Sequence, residues 1–381
     1  MFFIINRQLL YKIADLFLKR KVPRTTRLSG GFTLTELLVT IIIGGLIITS
    51  ITAIMTDIVR ASKEEEVRNN TQRDMKKALD FIAADLEEAV YIYTGDRIRN
   101  NQGSVKSLTS HFNVNSNYEI VLAFWKPELI PYTNGGPEIP LNCIDSSGNK
   151  NTKLDSEITI EECENLLTER RTYTLVVYVQ DTVPSDTWSG KSVIRRYQLR
   201  KYENETFTVD GTDYLTLNIS ENSSGNNIYV DPVKEADGFG KWPYEGSTDL
   251  QAAKPTINGN TSTALVDFVD NPQDDPGNLN CLDEDTNDDG DLDSGEDTNN
   301  NGVLDVYSRS PSISQSKSFF VCVRQADMQG DFSQGNQDVL VYLRGNPSGR
   351  SGLTFKDNFT PLPTLQTQVM LRGVVDKEIN Q

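Results

Sequence analysis

Two hydrophobic patterns divide the chain. From Leu37 to Thr56 runs LLVTIIIGGLIITSITAIMT, twenty residues without a charge. At a rise of 1.5 Å per residue, a helix of about 20 residues crosses the hydrocarbon core of a bilayer. No proline interrupts residues 32–93. Past the apolar run, Met75, Leu79, Ile82, Leu86 and Ala89 or Val90 recur at steps of three and four, one apolar stripe on a helix. The pattern predicts a membrane-spanning helix over 32–56 that continues as a stalk helix over 57–93, with the stripe from Met75 seated on a folded body. Gly44 and Gly45 weaken the span locally, which suits either bending or close helix packing.

Beyond Thr94 the texture changes to short strands separated by polar loops. The candidates are Glu119–Trp125, Thr172–Gln180, Val193–Tyr202, Ala264–Val269, Phe319–Arg324, Val339–Leu343 and Gln366–Val374. Thr172–Gln180 is nearly continuous in apolar residues, as a central strand would be. Val193–Tyr202 alternates with basic residues, as a half-exposed strand would. Residues 204–263, rich in Asn, Gly and Thr, are expected to decorate the sheet. The expected class is α+β: a long N-terminal transmembrane and stalk helix packed on an antiparallel β-sheet, in a body spanning 94–381.

Charge sharpens the division. The 381 residues carry 37 Lys plus Arg against 54 Asp plus Glu, a net −17. Residues 1–31 hold seven of the basic groups and one acid, Asp15, so a basic leader precedes an acidic body. The leader should stay cytoplasmic and the body should face outward. The acidic balance excludes a nucleic-acid binder, which needs basic surface. A single histidine, His111, argues against His-rich zinc sites and most His-based triads. Paired acids are too abundant to single out any pair as catalytic, and no enzyme activity is expected.

An ordinary signal peptide places its small-residue cleavage site after the apolar run. Here Gly30-Gly31 precede it, followed by Phe32, Thr33-Leu34-Thr35 and Glu36. Glu36 is an acid at the edge of a membrane helix, costly in lipid and functional by default. The sequence GFTLTELLV resembles the type III signal of type IV prepilins and pseudopilins, and the resemblance runs from Gly31 to Tyr93. It implies cleavage between Gly31 and Phe32 by a membrane-embedded prepilin peptidase, with methylation of Phe32. It also implies that Glu36 neutralises the N-terminal amine of a neighbouring subunit during assembly. The segment IAADLEEAVYIY, residues 82–93, resembles the helix end of large minor pseudopilins of the J-like type.

The sharpest motif of the body is DTNDDGDLDSGE, Asp285 to Glu296. Asp285, Asn287 and Asp289 fall at positions 1, 3 and 5 of a calcium loop, Gly290 at 6, Asp291 at 7, Asp293 at 9 and Glu296 at 12. Alternate side chains can then converge on one hard cation, and the glycine permits the sharp turn. A second, weaker frame begins at Asp297 with Asn299, Asn301, Gly302 and Asp305, and ends in Ser308 rather than Glu. Residues 267–305 hold 14 acids and no Lys or Arg, a block that repels itself without a cation. One or two structural Ca²⁺ ions are expected, ordering an insertion at about 270–310. The bland alternative is a solvated acidic loop.

Four cysteines without C-x-x-C allow three pairings. With the body outside the cytoplasm, the local pairs Cys143–Cys163 and Cys281–Cys322 are preferred as loop staples. Buried free thiols are the alternative.

Together these features imply a minor pseudopilin, with a body too bulky for a major subunit. The long leader, the GFTLTELLVTIIIGGLI core and the acidic insertion look like the large pseudopilins of cyanobacterial hormogonium polysaccharide secretion, which support exopolysaccharide export and gliding. Expected partners are other pseudopilins or pilins, the prepilin peptidase and an inner-membrane assembly platform, with polysaccharide as a further candidate. The expected location is the inner membrane as a single-pass precursor, then a periplasmic or cell-surface filament. The alternatives are a minor pseudopilin of type II protein secretion, a minor pilin or adhesin, or a membrane-anchored carbohydrate-binding module or enzyme. In the last case Trp188 or Trp242 would stack on sugars.

Overall fold

The structure is a computed structural model. It describes residues 33–129, 143–145, 147–151, 159–169, 171–182, 187–209, 212–222, 224–271, 280–284, 295, 306–312, 316–324, 338–350 and 362–370. The chain divides between Ala61 and Ser62 into two compact units.

The first unit is the apolar part of helix α1 (Leu34–Glu87), which is long and apolar enough to cross a membrane. Its large side chains from Leu37 to Val59 stand exposed. The hydroxyls within the apolar run all turn back on their own helix: Thr40 donates to the Leu37 carbonyl, Thr49 and Ser50 to that of Leu46, Thr52 to that of Ile48 and Thr56 to that of Thr52. Satisfied in this way, they add little cost to burial in lipid.

In the second unit the rest of α1 buries Val67, Thr71, Met75, Ala78, Leu79, Ile82, Asp85 and Leu86. This is the stripe the spacing predicts, with one acid in its midst. The helix stops at Glu87, short of the expected Tyr93. Val90 donates its N–H to the Trp125 carbonyl at 2.8 Å, and strand β1 (Tyr91–Ile92) follows at once. The run Val90-Tyr91-Ile92-Tyr93 is β-branched and aromatic, so a sheet edge outcompetes another helical turn. Thr94 then caps the short helix α2 (Gly95–Arg99), its Oγ1 accepting from the Arg97 N–H.

The longer elements that follow are β2 (Tyr118–Leu129), α3 (Ile160–Glu169), β3 (Arg171–Asp181), β4 (Ser192–Leu199), β5 (Tyr202–Val209), β6 (Thr212–Ile219), β7 (Ser262–Val269), β8 (Tyr307–Ser310), β9 (Phe319–Arg324), β10 (Asp338–Leu343) and β11 (Leu365–Met370). Two antiparallel sheets carry the body, in the orders β1-β2-β3-β4-β7 and β8-β9-β10-β11. An isolated bridge from Val269 to Gly345 links them. The class is therefore α+β, with two principal sheets instead of one. All seven expected strands are present where described, and residues 371–374 of the last lie outside the described residues. The expected Val193–Tyr202 strand splits: β4 ends at Leu199 and Tyr202 opens the β5–β6 hairpin. The break falls at Arg200-Lys201, whose cations leave the ladder for acids elsewhere. Arg200 forks onto Glu128 at 2.6 and 2.9 Å, and Lys201 pairs with Glu162 and Asp231.

β3 is central in the first sheet and buried on both faces. Val176 and Tyr178 face the α1 stripe and the second sheet, packing with Leu79, Ile82, Leu86, Phe319, Val321 and Val341. Leu175, Val177 and Val179 face a second core with Trp125, Tyr197, Tyr229, Trp242 and Ile257. This explains its continuous apolar run. It also corrects the expectation for residues 204–263, which do more than decorate: Tyr229, Trp242 and Ile257 close one face of the sheet. Fully burying each such aliphatic or aromatic side chain contributes about 1.5–3 kcal/mol.

The acid within the stripe is the pivot of the packing. Asp85 Oδ1 accepts from Lys126 Nζ at 2.8 Å and Arg196 Nη2 at 3.1 Å. Its Oδ2 accepts from Arg196 Nε at 2.6 Å and the Tyr178 hydroxyl at 2.7 Å. Three adjacent strands thus converge on one carboxylate of α1. Burial pushes the Asp85 carboxyl up, but Arg196 and then Lys126 outweigh it and hold it below the usual carboxylate range. Burial and the Asp85 charge raise the Tyr178 hydroxyl, which keeps its proton and donates. Since the folded-state value of Asp85 is the lower one, its stabilisation is complete above the ordinary carboxylate range. It is lost as pH falls through the lowered value.

Asp85→Asn should therefore cost about 3 kcal/mol or more at neutral pH, because it takes the carboxylate from the buried Arg196 and leaves Lys126 only the exposed Glu88. It should also flatten the acid limb of the stability curve. Glu88→Gln, which removes only the exposed second partner of Lys126, should cost about 1 kcal/mol or less. Urea denaturation of the two variants from neutral pH into acid measures both.

Candidate functional site

Three places carry chemistry that packing alone does not explain. The first is the start of α1. Gly31 and Phe32, the expected processing residues, lie outside the described residues. Thr33 and Glu36 are described: the Glu36 N–H donates to Thr33 Oγ1 at 3.3 Å and to the Thr33 carbonyl at 3.0 Å. Thr33-Leu34-Thr35-Glu36 has the spacing of a capping box, and an acid in the first turn complements the helix dipole. Glu36 is exposed, and its carboxylate forms no ion pair among the described residues. Among the described residues nothing lies within 4 Å of a Cβ added at Gly44 or Gly45, so none of their contacts requires the small size.

The second place is the base of the acidic insertion. The candidate calcium ligands Asp285, Asn287, Asp289, Asp291, Asp293, Glu296, Asp297, Asn299, Asn301 and Asp305 lie outside the described residues. Their frame is described. Asp283 bridges antiparallel to Val306, and the Tyr307 N–H donates to the Leu282 carbonyl at 3.0 Å. Residues 282–283 and 306–307, on either side of the segment 285–305, are thereby paired. Cys281 is bonded to Cys322 on β9, with Cα atoms 5.5 Å apart. Cys143 is bonded to Cys163 on α3, with Cα atoms 5.7 Å apart. Both pairings are those preferred from the sequence. Among the described residues no group of three or more acids, histidines or cysteines is placed to hold a metal.

The frame continues onto the second sheet. Tyr307 donates its hydroxyl to Asp338 Oδ2 at 2.8 Å, and Gln368 Nε2 donates to the same oxygen at 2.8 Å. The other oxygen, Oδ1, is buried and has no hydrogen-bond partner among the described residues. Asp338 itself is 6% exposed. The register pairs Cys322 with Leu340 and Asp338 with Met370. Alternation then puts Cys322 and Asp338 on the same face, opposite the core face of Val321, Val339 and Val341.

The third place is a groove of about 430 Å³ between α1 and β7, lined by Ala78, Phe81, Leu265 and Phe268. Phe268 holds a left-handed φ of 63°, where a non-glycine residue is strained. Asp267 supports it by accepting from the N–H groups of Ser189, Gly190 and Phe268. Arg350 stacks over the Phe268 ring at 4.9 Å and pairs with Asp74.

The other candidates from sequence are structural. His111 is buried behind Trp242 and Tyr244, with Nδ1 at 3.3 Å from Gln251 Oε1. Burial lowers its pKa, with Asp249 only partly opposing. Trp242 is fully buried and donates to the Val230 carbonyl at 2.9 Å, so it presents no face to a sugar. Trp188 is half-buried over Arg195. Sequence reading missed Asp85 and Asp338. For Asp85 a signal existed: an acid inside an apolar stripe, with Lys126 and Arg196 inside apolar strands. Compared with protein-family models, with curated proteins and with solved structures, the chain has no match in any of the three.

The disulfide at the base of the insertion generates a prediction. Changing Cys281 and Cys322 together to Ser should increase limited proteolysis between residues 285 and 305 several-fold. The corresponding change at Cys143 and Cys163 should leave that cleavage unaltered. Mapping of the fragments by mass spectrometry gives the comparison.

Proposed function

We propose that the chain is a minor pseudopilin: a membrane-stored subunit of a type IV pilus-like assembly that supports exopolysaccharide secretion and gliding. The observation that carries this reading is the composition of α1. One helix holds an uncharged, exposed run whose hydroxyls are all internally bonded, preceded by a Thr-Leu-Thr-Glu first turn. Its other half is amphipathic and packs on an antiparallel sheet. A plain membrane anchor needs the apolar run but not Gly31-Phe32 and Glu36 at its edge. In a packed bundle an unpaired charge is costly, so Glu36 is favourable only beside a cation such as the amine of a newly cut Phe32. Cleavage after Gly31 and methylation of Phe32 would leave a 350-residue mature subunit. No step here requires catalysis by this chain.

The acidic insertion is proposed to bind one or two structural Ca²⁺ ions through the ligands read from its spacing. The antiparallel closure at Asp283 and Val306 supports this, because it removes much of the loop-closure entropy before the metal binds. Ligand oxygens at alternate positions, as in Asp285, Asn287 and Asp289, suit a hard cation of flexible coordination.

Mass spectrometry of the protein from cells with an active prepilin peptidase should find methyl-Phe32 at the terminus, and an intact Met1 terminus overturns the class. A deletion strain should lose secreted polysaccharide and gliding while retaining pili. Loss of pili with normal polysaccharide favours the minor pilin instead, and loss of secreted protein alone favours type II secretion.

A further inference from the structure

We infer that Lys201 and Asp231 are the two halves of an intramolecular amide bond, formed by condensation of the Lys201 amine with the Asp231 carboxyl and assisted by Glu162. The inference is independent of the pseudopilin and calcium readings.

Three separate segments bring the groups together. Lys201 stands at the corner between β4 and β5, Glu162 in the first turn of α3, and Asp231 in a turn that begins after Val230. Lys201 Nζ lies 2.5 Å from Glu162 Oε1 and 3.2 Å from Asp231 Oδ2. The Lys201 and Asp231 side chains are 7% and 10% exposed, so water competes little for either group. A buried ion cluster adds little stability over apolar substitutes, and this one sets two acids against one cation.

The carboxylate of Asp231 is held differently from that of Asp85. Both oxygens of Asp85 accept from cations, which stabilise the ionised form. At Asp231 Oδ2 faces the one cation, Lys201. Oδ1 accepts from the backbone N–H groups of Val233 at 3.0 Å and Lys234 at 3.1 Å. When nitrogen adds to Cγ, negative charge develops on Oδ1, where these two donors already point, as in an oxyanion hole. Oδ2, on the Lys201 side, is the oxygen that leaves.

Glu162 is the proton relay. Its Oε1 touches the amine and also accepts from the Tyr202 hydroxyl at 2.8 Å. Burial opposes the charge on Lys201, but Asp231 and Glu162 outweigh it and hold the amine above its ordinary pKa. Passing one ammonium proton to Glu162 cancels one of those two charges, and burial then favours the neutral, nucleophilic amine. The nitrogen lone pair forms the bond to Asp231 Cγ. The tetrahedral carbon then expels Oδ2, which takes the pair of the broken C–O bond. Of the three ammonium protons, two leave on Oδ2 as water through Glu162, and one stays on the amide nitrogen. Glu162 ends ionised, as it began, and nothing is oxidised or reduced.

The linked residues are 30 positions apart. The bond closes a ring around the β5–β6 hairpin and pins the corner of the first sheet to the segment that brings Tyr229 and Trp242 onto the second core. Glu162 adjoins Cys163, which is bonded to Cys143. The same corner thus carries two covalent ties, one of them indifferent to reductant.

The test uses the full chain purified in detergent, reduced and digested with trypsin. Trypsin cuts after Arg200 and Lys201, and the next basic residue is Lys234. An acylated Lys201 is not cut. Wild type should therefore be one water lighter than its sequence requires and should yield residues 201–234 as a single peptide carrying that deficit. Lys201→Arg keeps a cation beside both acids but should restore the full mass and cleavage after position 201. Glu162→Gln keeps both reacting groups and should lower the linked fraction at least about tenfold. Wild type of full mass that is cut after Lys201 overturns the inference. So does a water deficit with cleavage after Lys201 intact, which marks cyclisation of an Asp-Gly pair such as Asp210-Gly211 instead. Equal linkage in Glu162→Gln overturns the relay assigned to Glu162.

Discussion

One carboxylate determines how the stalk helix meets the body. The apolar stripe of α1 supplies most of the contact, but hydrophobic burial is non-directional and tolerates sliding and rotation. Asp85 does not tolerate them. Its two oxygens receive hydrogen bonds from Lys126 on β2, Tyr178 on β3 and Arg196 on β4. Moving the helix by one residue would rotate Asp85 by about 100° and take its carboxylate away from Arg196 and Lys126. A buried ion cluster of this kind adds little net stability over an apolar substitute, whereas breaking it by removing one partner is expensive. Registration of helix on sheet is the role that fits both facts, and the pH titration of Asp85→Asn described above addresses it.

The elements that were legible in the sequence are those governed by a local period. The α1 stripe and the seven strands follow from alternation and 3.6-residue spacing, and the two disulfides from the positions of four cysteines. The helix end is not legible because a run such as Glu87-Glu88-Ala89-Val90 is acceptable to a helix by composition. The competing partner was Trp125, 35 positions further on, and its carbonyl captured Val90. The role of residues 204–263 is not legible for the related reason that polar composition hides a few large side chains. Tyr229, Trp242 and Ile257 are sparse in sequence, yet they converge on one face of the first sheet.

The sites divide along the same line. A calcium-loop pattern is visible because its candidate ligands are close in sequence. Asp338 is not, because what singles it out is an oxygen without a partner and a contact to Tyr307 across the sheet. In Asp85 and Asp338 the chain uses the same device with opposite completions. One buried acid finds its cations within the fold. The other has donors for one oxygen and, among the described residues, no partner for the second.

Within the body, α1 is held at a second level as well. At Gly345 an added Cβ would lie 2.8 Å from Met75 Cγ and 3.0 Å from Thr71 Cγ2, so the backbone of this turn presses against the helix. Five residues on, Arg350 bonds Thr71 and Asp74. Asp74 and Asp85 are separated by about 16 Å along the helix axis, and the turn after β10 and the strands of the first sheet hold one each. The two attachments are unequal. The Asp74–Arg350 pair is partly exposed, with side chains 31% and 26% accessible, and such a pair contributes about 1 kcal/mol or less. Asp85 is desolvated, and its loss costs several times more. A displacement of the stalk should therefore loosen the second-sheet end first and pivot about Asp85, keeping the first sheet and its two cores intact.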